Sequence, residues 1–330
     1  MSDSSPTRWF VVGGAGFIGS HFVRRLLGTP GTDAVTIYDN FTSGQRWHFQ
    51  SVADDPRLTV VEGDVKDIED LVAAMGAGDG HDRVIHLASN PDIAKAMTEP
   101  DVDFWEGTYL THQVIEAMRR TSTPRLLYAS GSGVYGDLGD AEGVEDWPGM
   151  EPVSTYGASK LSGEAMIAAY CHMFGMSAAA FRFGNVVGPN QTHGVGFDFV
   201  RRLRAEPDHL DILGDGKQSK SYIHVEDVMA AVLLADETAP RPFTPFNVAT
   251  GDYITVTEIA DLACGVVGLD PSDVEYRYSG GDRGWKGDVP VVRLNTDRIQ
   301  GLGWRCGRTS AQALTDAMAA MSTELDAGHA

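Results

Sequence analysis

Short runs of apolar residues alternate with amphipathic helical segments over the first half of the chain. The apolar runs predict buried strands at Trp9–Val12, Ala34–Tyr38, Leu58–Val61, Arg83–Leu87 and Arg125–Tyr128, and the amphipathic segments predict helices at Gly19–Leu27, Asp67–Met75 and Thr108–Arg119. Strands that are apolar on both faces and alternate with helices are typical of a parallel sheet covered on both sides. We therefore predict an α/β fold with a doubly wound parallel sheet.

The alternation weakens after about residue 185, where Gly- and Pro-rich loops separate shorter elements. Helices are predicted over Val225–Asp236, Thr257–Val267 and Thr309–Leu325, and a strand over Phe246–Val248. The chain contains no internal repeat and no low-complexity linker. We expect a first domain over residues 1–184, with 225–248 returning to it, and a smaller, mixed α/β domain over 185–330.

Composition and charge exclude several classes of protein. The chain has 26 basic and 46 acidic residues and a net charge of −20, so it repels nucleic acid. No apolar run is long enough to span a bilayer, and the N-terminus lacks the order of a secretory signal. We expect a cytoplasmic protein with no membrane partner. Its cysteines, Cys171, Cys264 and Cys306, are too widely spaced to predict a metal site.

A glycine-rich turn lies between the first predicted strand and the first predicted helix. Gly14, Gly16 and Gly19 have the GxGxxG spacing that lets a pyrophosphate approach the amides at a helix N-terminus. Asp39 ends the second predicted strand, where a carboxylate binds adenosine ribose hydroxyls and repels a 2′-phosphate. The pattern predicts NAD as the cofactor. The expected contacts are Gly13, Gly16, Phe17, Ile18, Gly19, Asp39, Asn40, Asp64, Val65, Leu87, Ala88 and Ser89.

Tyr156 and Lys160 form a YxxxK motif at the start of a helix predicted over Ser159–Tyr170. This spacing puts the phenol and the ammonium on one helix face. A phenol titrates near about pH 10, but a nearby ammonium and the positive nicotinamide ring both favour the phenolate. The tyrosine then becomes a usable base near neutral pH. With the dinucleotide turn upstream, the pair predicts hydride transfer to or from an alcohol, with both residues also contacting the cofactor.

The chain resembles the extended short-chain dehydrogenases/reductases, and among them the NAD-dependent nucleotide-sugar epimerase/dehydratase family. The matching stretches run nearly from end to end: Gly13–Gly19, Tyr38–Asn40, Gly63–Val65, His86–Ala88, Val134–Gly136, Tyr156–Lys160, Arg182–Pro189, Gly214–Gly216, Tyr222–Val228 and Gly287–Asp288. The resemblance implies a Rossmann domain that binds NAD and a C-terminal domain that binds the nucleotide-sugar. It also implies a homodimer, formed in this family through a four-helix contact.

Two positions of the resemblance separate the subclasses of the family. Dehydratases carry an Asp-Glu pair just before the Val-Tyr-Gly motif, and sugar-acid decarboxylases carry a Glu at the second position. This chain has Ser132 and Gly133 there, so the acid and base that elimination needs are missing. The resemblance therefore implies a 4-epimerase for UDP-glucose and UDP-galactose, or for a related UDP-hexose or UDP-uronate. A nucleotide-sugar 4-ketoreductase and a non-catalytic NAD-binding protein remain as alternatives.

The chain also departs from the family near the catalytic and cofactor positions. The family's catalytic Ser or Thr falls on Gly131, and Ser130 and Ser132 on either side of it are both candidates for its role. Phe104 stands where the family has an Asn near the cofactor ribose.

The resemblance implies which residues hold the nucleotide-sugar. Asn185 matches a position that contacts the substrate diphosphate, and Asp288 matches one that contacts a nucleotide ribose. Lys220 and Arg283 are basic residues in the two loops where the family binds diphosphate and uridine. Lys220 replaces an Arg of the family, keeping the charge without the bidentate geometry.

Overall fold

The computed structural model of the chain describes residues 6–90, 92–284 and 287–329. These residues form two compact units. The first unit contains the described residues of Met1–Val134, Thr155–Arg182 and Val232–Phe246, and the second contains those of Tyr135–Ser154, Phe183–Ala231 and Asn247–Ala330.

The first half of the chain alternates mainly between strands and helices. The strands are β1 (Thr7–Val12), β2 (Thr32–Asp39), β3 (Leu58–Glu62), β4 (Arg83–His86), β5 (Arg125–Gly131), β6 (Ser177–Phe183), β7 (Asn185–Val187), β8 (His209–Ile212), β9 (Ser219–Lys220), β10 (Tyr222–His224), β11 (Phe243–Val248), β12 (Ile254–Thr255) and β13 (Glu275–Tyr278). The helices are α1 (Phe17–Leu27), α2 (Ile68–Met75), α3 (Leu110–Thr121), α4 (Thr155–Phe174), α5 (Val195–Ala205), α6 (Val225–Thr238), α7 (Val256–Val267), α8 (Asp297–Gly301) and α9 (Ser310–Asp326).

The main sheet has seven strands in the order β3-β2-β1-β4-β5-β6-β11. Strand β1 pairs in parallel with β2 on one side and with β4 on the other, so the strand order reverses at β1. In open sheets of this kind, ligands bind beyond the carboxyl ends of the strands at the reversal point. The predicted doubly wound Rossmann sheet is confirmed, and it places the Gly-rich turn at the edge where a ligand is expected.

Strand β6 was missed by the sequence prediction. Its centre is Ala178–Ala180, and alanine is a poor strand former that gives no strong apolar signal. Every residue of β6 is buried, because the strand lies between β5 and β11 in the interior of the sheet. Helix α4 is also longer than predicted, extending beyond Ser159–Tyr170 at both ends.

The first unit contains a large apolar cluster beside the sheet. Phe10, Tyr38, Val84 and Leu126 contribute from the strands, and Val114 contributes from α3. All five side chains are almost fully buried, as continuous apolar strand sequences require.

The second unit has its own core, enclosed by α5, α7 and α9. Val200, Ile259 and Leu314 are completely or almost completely buried there. Its strands form two-stranded pairs, with β8–β13 and β7–β10 parallel and β9–β12 antiparallel. Helices α7 and α9 both begin with a capping box, at Thr255 and Thr309 respectively, which satisfies amides that a helix N-terminus leaves unpaired.

The segment Tyr135–Ser154 groups with the second unit, although the expected boundary near residue 184 put it in the first. Asn247 explains this grouping, because its amide group donates to the carbonyl of Gly143 at 2.9 Å and its backbone N–H donates to Glu145. The backbone of Gly143 also pairs with Arg293 and Asn295. The assignment of NAD binding to one unit and sugar binding to the other stays a prediction.

Within the described ranges, no helix is long and apolar enough to cross a membrane. The same ranges contain no group of three or more His, Cys, Asp or Glu side chains arranged to hold a metal ion.

A buried ion pair joins α6 to the first unit's sheet. Asp236 accepts hydrogen bonds from Arg125 and Arg83, each at 2.9 Å, and Arg125 is only 1% exposed. Removing one partner of a buried pair leaves an uncompensated charge, which costs about 3–5 kcal/mol.

We predict that Asp236→Ala lowers the free energy of unfolding by an amount in that range. The matched control is Glu62→Ala, which breaks the exposed Arg46–Glu62 pair and should cost at most about 1 kcal/mol. Urea unfolding of both variants measures the difference, and equal costs would contradict the assigned role of Asp236.

Candidate active site

The glycine-rich turn after β1 brings two backbone segments into close contact. Gly13 has a φ of +80°, and a Cβ there would lie 2.8 Å from the backbone nitrogen of Ala88. A Cβ at Gly19 would lie 2.1 Å from the Gly13 carbonyl oxygen. No side chain caps the N-terminus of α1, so its first amides point at the space where an anion would bind. This cradle fits the pyrophosphate of NAD.

Asp39 lies at the carboxyl end of β2 and is held by the turn itself. Its carboxylate accepts the backbone N–H groups of Ala15 and Phe41, both at 2.9 Å. Burial raises the pKa of Asp39, and these two hydrogen bonds oppose that effect. The lone pairs that remain on the carboxylate can accept ribose hydroxyls, and its position disfavours a 2′-phosphate. The residue therefore fits NAD as the sequence predicts.

A support for this turn that the sequence analysis missed comes from the segment after Asp39. His48 Nδ1 lies 2.7 Å from the carbonyl oxygen of Ala15, and the backbone N–H of Gln45 donates to the same oxygen. Gly44 packs against the carboxylate of Asp39, where a Cβ would come within 2.8 Å of Oδ1.

The other predicted cofactor residues lie at the carboxyl ends of neighbouring strands. Asn40 follows β2 and is exposed, whereas Val65, after β3, is buried in the core. Asp64 accepts the backbone N–H of Lys66. Leu87 and Ala88 follow β4, and both donate backbone hydrogen bonds to Val12, so this segment is fixed to the end of β1. Phe17 and Ile18 open α1, and Ser89 follows Ala88.

Tyr156 and Lys160 lie one turn apart in the first part of α4. The ammonium of Lys160 donates to the carbonyl of Ala129, on β5, at 2.9 Å, and lies 5.4 Å from the centre of the Tyr156 ring. Burial lowers the pKa of Lys160 to about 8, and Asp103 opposes that shift. Burial raises the pKa of Tyr156 to about 12, while a hydrogen bond with the Ser89 side chain lowers it and the charge of Asp103 raises it.

These pKa values are in the opposite order from the one that the chemistry requires. A phenolate base beside an ammonium needs the tyrosine to lose its proton before the lysine does. Burial penalises both charged forms, the phenolate and the ammonium. The expectation from the YxxxK spacing counts the positive nicotinamide ring as well as Lys160 in favour of the phenolate, and the roles of Tyr156 and Lys160 stay predictions.

The structure separates the two serine candidates that flank Gly131. Ser130 is 4% exposed and donates to Glu164 Oε1 at 2.6 Å. Arg182 also donates to Glu164 through Nε and Nη2, at 3.0 and 2.7 Å to its two oxygens. Ser130 is thus part of a buried ionic cluster. Ser132 is half-buried and its hydroxyl has no hydrogen bond to any residue that the structure describes.

Gly131 lies beside the aromatic ring of Tyr156. A Cβ at Gly131 would be 3.8 Å from Tyr156 Cε1, an ordinary van der Waals contact. The position that carries a Ser or Thr hydroxyl in the family is therefore next to the phenol in this fold, and it has no side chain here.

Two acidic residues of this region were missed by the sequence analysis. Asp103 is 1% exposed and accepts hydrogen bonds from Asn90 at 3.0 Å and from the Thr155 hydroxyl at 2.6 Å. It directly precedes Phe104, which begins a π-helical segment, Phe104–Tyr109, and is 51% exposed. Glu164 could have been noticed from its spacing, since it lies one turn after Lys160 on α4.

The predicted substrate residues all belong to the second unit, and three of them meet. Lys220 Nζ lies 2.5 Å from Asp288 Oδ1, and Arg283 donates to the Asp288 carbonyl at 2.6 Å. Arg283 also donates to Asp137 at 2.7 Å. Asn185 is exposed and donates to the carbonyl of Ser221, next to Lys220, at 3.2 Å. The structure thus groups the predicted cations, each beside a carboxylate.

The sequence matches the NAD dependent epimerase/dehydratase family over residues 9–249. It is 30% identical to a UDP-glucose 4-epimerase of Corynebacterium glutamicum, over 97% of each chain. A crystal structure of a UDP-galactose 4-epimerase superposes with a TM-score of 0.83 and 37% identity, covering 96% of this chain and 99% of the other. A crystal structure of a Streptomyces venezuelae dTDP-glucose 4,6-dehydratase with NAD bound superposes with a TM-score of 0.85 and 27% identity. The match covers 94% of this chain and 95% of the other.

The chain therefore belongs to the NAD dependent epimerase/dehydratase family, an extended short-chain dehydrogenase/reductase group of enzymes acting on sugar nucleotides. The prediction of NAD as cofactor is confirmed by this membership and agrees with the glycine cradle and Asp39.

The lowered pKa of Lys160 has a consequence for stability. Between the native pKa of about 8 and the unfolded value of about 10.4, the unfolded chain binds more protons, so stability rises with pH. We predict that the free energy of unfolding of the nucleotide-free protein, relative to Lys160→Met, rises by up to about 3 kcal/mol across this window. Denaturant unfolding at several pH values measures it. Lys217→Met, at a side chain 85% exposed, is the control and should show no such rise.

Proposed function

We propose that this protein is an NAD-dependent nucleotide-sugar 4-epimerase of the UDP-glucose/UDP-galactose type, or one for a related UDP-hexose or UDP-uronate. The observation that carries the proposal is an intact Tyr156 and Lys160 pair with no acidic side chain at Ser132 and Gly133. Relatives of both the epimerase and the dehydratase kind match the chain, and this local chemistry supports the epimerase.

The surroundings of these two positions support the choice. A Cβ at Gly133 would lie 3.3 Å from Gly157 Cα, so this position packs closely against the start of α4. Asp103 influences both Tyr156 and Lys160, but its two oxygens already accept hydrogen bonds from Asn90 and Thr155. It is therefore a poor substitute for the acid that eliminates water.

In the proposed reaction, Tyr156 as phenolate takes the proton of the sugar 4-hydroxyl while C4 is oxidised to a ketone. NAD, when bound, supplies the acceptor and then the donor of the hydride. The 4-keto sugar presents its other face before reduction, and Tyr156 returns the proton to the new hydroxyl. Lys160 holds positive charge near the phenolate, and the buried cluster of Ser130, Glu164 and Arg182 fixes the end of β5. No net oxidant is consumed.

We propose that the second unit binds the nucleotide diphosphate through Lys220 and Arg283, with Asn185 and Asp288 as further contacts. The support is the grouping of Lys220, Arg283 and Asp288 in a chain that is otherwise strongly acidic. Lys217 is exposed and pairs with Asp215, so it is a less suitable ligand.

We also propose that the protein is a homodimer associated through α3 and α4. Exposed apolar side chains on these elements support this proposal, with Met173 at 71% and Phe174 at 45% exposed at the end of α4. Trp105, just before α3, is 47% exposed.

We predict that the purified protein, with no added cofactor, interconverts one 4-epimer pair of UDP-sugars, followed by proton NMR of the anomeric signals. UDP-glucose, UDP-galactose, their N-acetyl forms and the two uronates are tested separately. Tyr156→Phe should abolish the interconversion while retaining bound NAD, because it removes only the proton acceptor. Tyr170→Phe, the same change later on α4, is the matched control and should leave turnover unchanged.

Full turnover by Tyr156→Phe would refute the mechanism. If the native protein leaves every sugar unchanged but reduces a 4-keto nucleotide-sugar with added NADH, it is a ketoreductase. Release of a 4-keto-6-deoxy sugar would identify a dehydratase.

We predict that Lys220→Met and Arg283→Met each weaken UDP binding about tenfold, since each removes a charge-assisted contact worth about 1.5 kcal/mol or more. Isothermal titration calorimetry with UDP measures the change. Lys217→Met is the control and should bind UDP like the native protein. An unchanged affinity in both test variants would exclude these cations from the nucleotide site.

A further inference from the structure

We propose that the first unit has a phosphate-binding site at the amino ends of β4, β5 and β6, apart from the NAD and nucleotide-sugar sites. Arg83 and Arg125 are the first residues of β4 and β5 and face each other in the sheet register, and Ser177 is the first residue of β6. Together with Arg241 and Asp236 they form what we call the arginine cluster, and all five residues belong to the first unit.

Two of the arginines share one carboxylate. Arg83 Nε and Arg125 Nε donate to different oxygens of Asp236, each at 2.9 Å. Arg125 is 1% exposed, and its Nη2 donates to the carbonyl of Ala235 at 3.4 Å. Its remaining nitrogen, Nη1, is buried and has no hydrogen-bond partner among the described residues. An unpaired buried donor is costly, and an anion in the arginine cluster would supply its acceptor.

The third arginine reaches the same end of the sheet through β6. Arg241 donates to the hydroxyl of Ser177. The backbone N–H of Ser177 donates at 2.9 Å to the carbonyl of Pro124, the residue just before β5. The backbone N–H of Ala178 donates to Pro242 at 2.7 Å, which holds the segment that carries Arg241 beside the start of β6.

The arginine cluster carries an excess of positive charge. Three guanidinium groups meet one carboxylate, and the neighbouring Asp82 is already paired with Arg8. Burial lowers the pKa of Arg125, the shared carboxylate opposes that shift, and the charges of Arg83 and Arg241 add to it. All three guanidiniums remain charged at neutral pH. The excess of two positive charges matches a phosphate dianion, whose oxygens can accept from several guanidinium groups at once.

This site is accessible from solvent and lies far from the candidate active site. The side chain of Arg83 is 27% exposed, and Arg241 is exposed. Strand β5 has seven residues, so its first residue, Arg125, lies about 20 Å from the last, Gly131, which is beside Tyr156. A phosphate bound to the arginine cluster therefore takes no part in the chemistry at the phenol. It stabilises the folded protein, because a ligand that binds only the native state shifts the unfolding equilibrium.

The test is isothermal titration calorimetry with inorganic phosphate at slightly alkaline pH, where phosphate is a dianion. Constant ionic strength is kept with chloride, and excess NAD and UDP occupy the other anion sites. We expect Arg241→Met to weaken phosphate binding about tenfold, since it removes one charge-assisted contact and leaves the pairs with Asp236 intact. Arg201→Met, at a side chain 57% exposed in the second unit, is the matched control and should bind phosphate like the native protein.

A second variant tests the unpaired nitrogen. Arg125→Lys keeps a positive charge beside Asp236 but removes Nη1, and we expect it also to weaken phosphate binding about tenfold. Thermal unfolding gives an independent measurement, in which phosphate should raise the Tm of the native protein above its value in chloride. Phosphate also stabilises proteins by exclusion from their surface, so the part of the rise that Arg241→Met loses is the part due to the arginine cluster.

Titration with glucose 1-phosphate identifies the source of the phosphate group. Binding as tight as that of inorganic phosphate supports a site for phosphomonoesters, and weaker binding supports a site for the free anion.

Two results would overturn the proposal. The first is a native protein that binds no phosphate in the presence of chloride, NAD and UDP. The second is an unchanged phosphate affinity in Arg241→Met or Arg125→Lys, which would place the anion elsewhere. Neither measurement uses sugar turnover, so the outcome is independent of whether the protein epimerises any of the substrates offered.

Discussion

One buried hydrogen bond, from the ammonium of Lys160 to the carbonyl of Ala129, joins helix α4 to the end of strand β5. The rest of the candidate active site depends on it. Ser130 and Gly131 follow Ala129 directly, and Tyr156 lies one helical turn before Lys160, so this bond brings the strand end beside the phenol. The same burial makes both charged forms costly, which gives the lysine and the tyrosine their shifted pKa values. The scaffold that positions the proposed base therefore also makes its deprotonation more costly.

The sequence was sufficient for most of the sheet and for the turn that fits NAD. Continuous apolar strands, the glycine spacing and Asp39 are local signals, and the elements that they predict are present in the structure. The alanine-rich β6 was missed because its burial comes from its neighbours in the sheet and not from its own composition. The reassignment of Tyr135–Ser154 has the same cause, since it depends on the distant Asn247.

The catalytic details were less predictable, because they depend on contacts between residues far apart in sequence. Ser130 and Ser132 are equivalent as sequence neighbours, yet only Ser130 is paired with Glu164. The YxxxK spacing shows that Tyr156 and Lys160 share a helix face. It does not show that burial raises the pKa of the Tyr156 phenol. Asp103 belongs to no sequence motif. It affects the pKa values of Tyr156 and Lys160 because the fold brings it close to them.

In the second unit, Asp288 pairs with Lys220 and Asp137 pairs with Arg283. An anionic ligand that binds these cations would exchange one set of charge pairs for another instead of creating pairs from solvated ions. The carboxylates are then internal competitors, which keep the cations ordered and reduce the net electrostatic gain of binding. If these cations bind the nucleotide diphosphate as proposed, this competition also lowers the cost of releasing it.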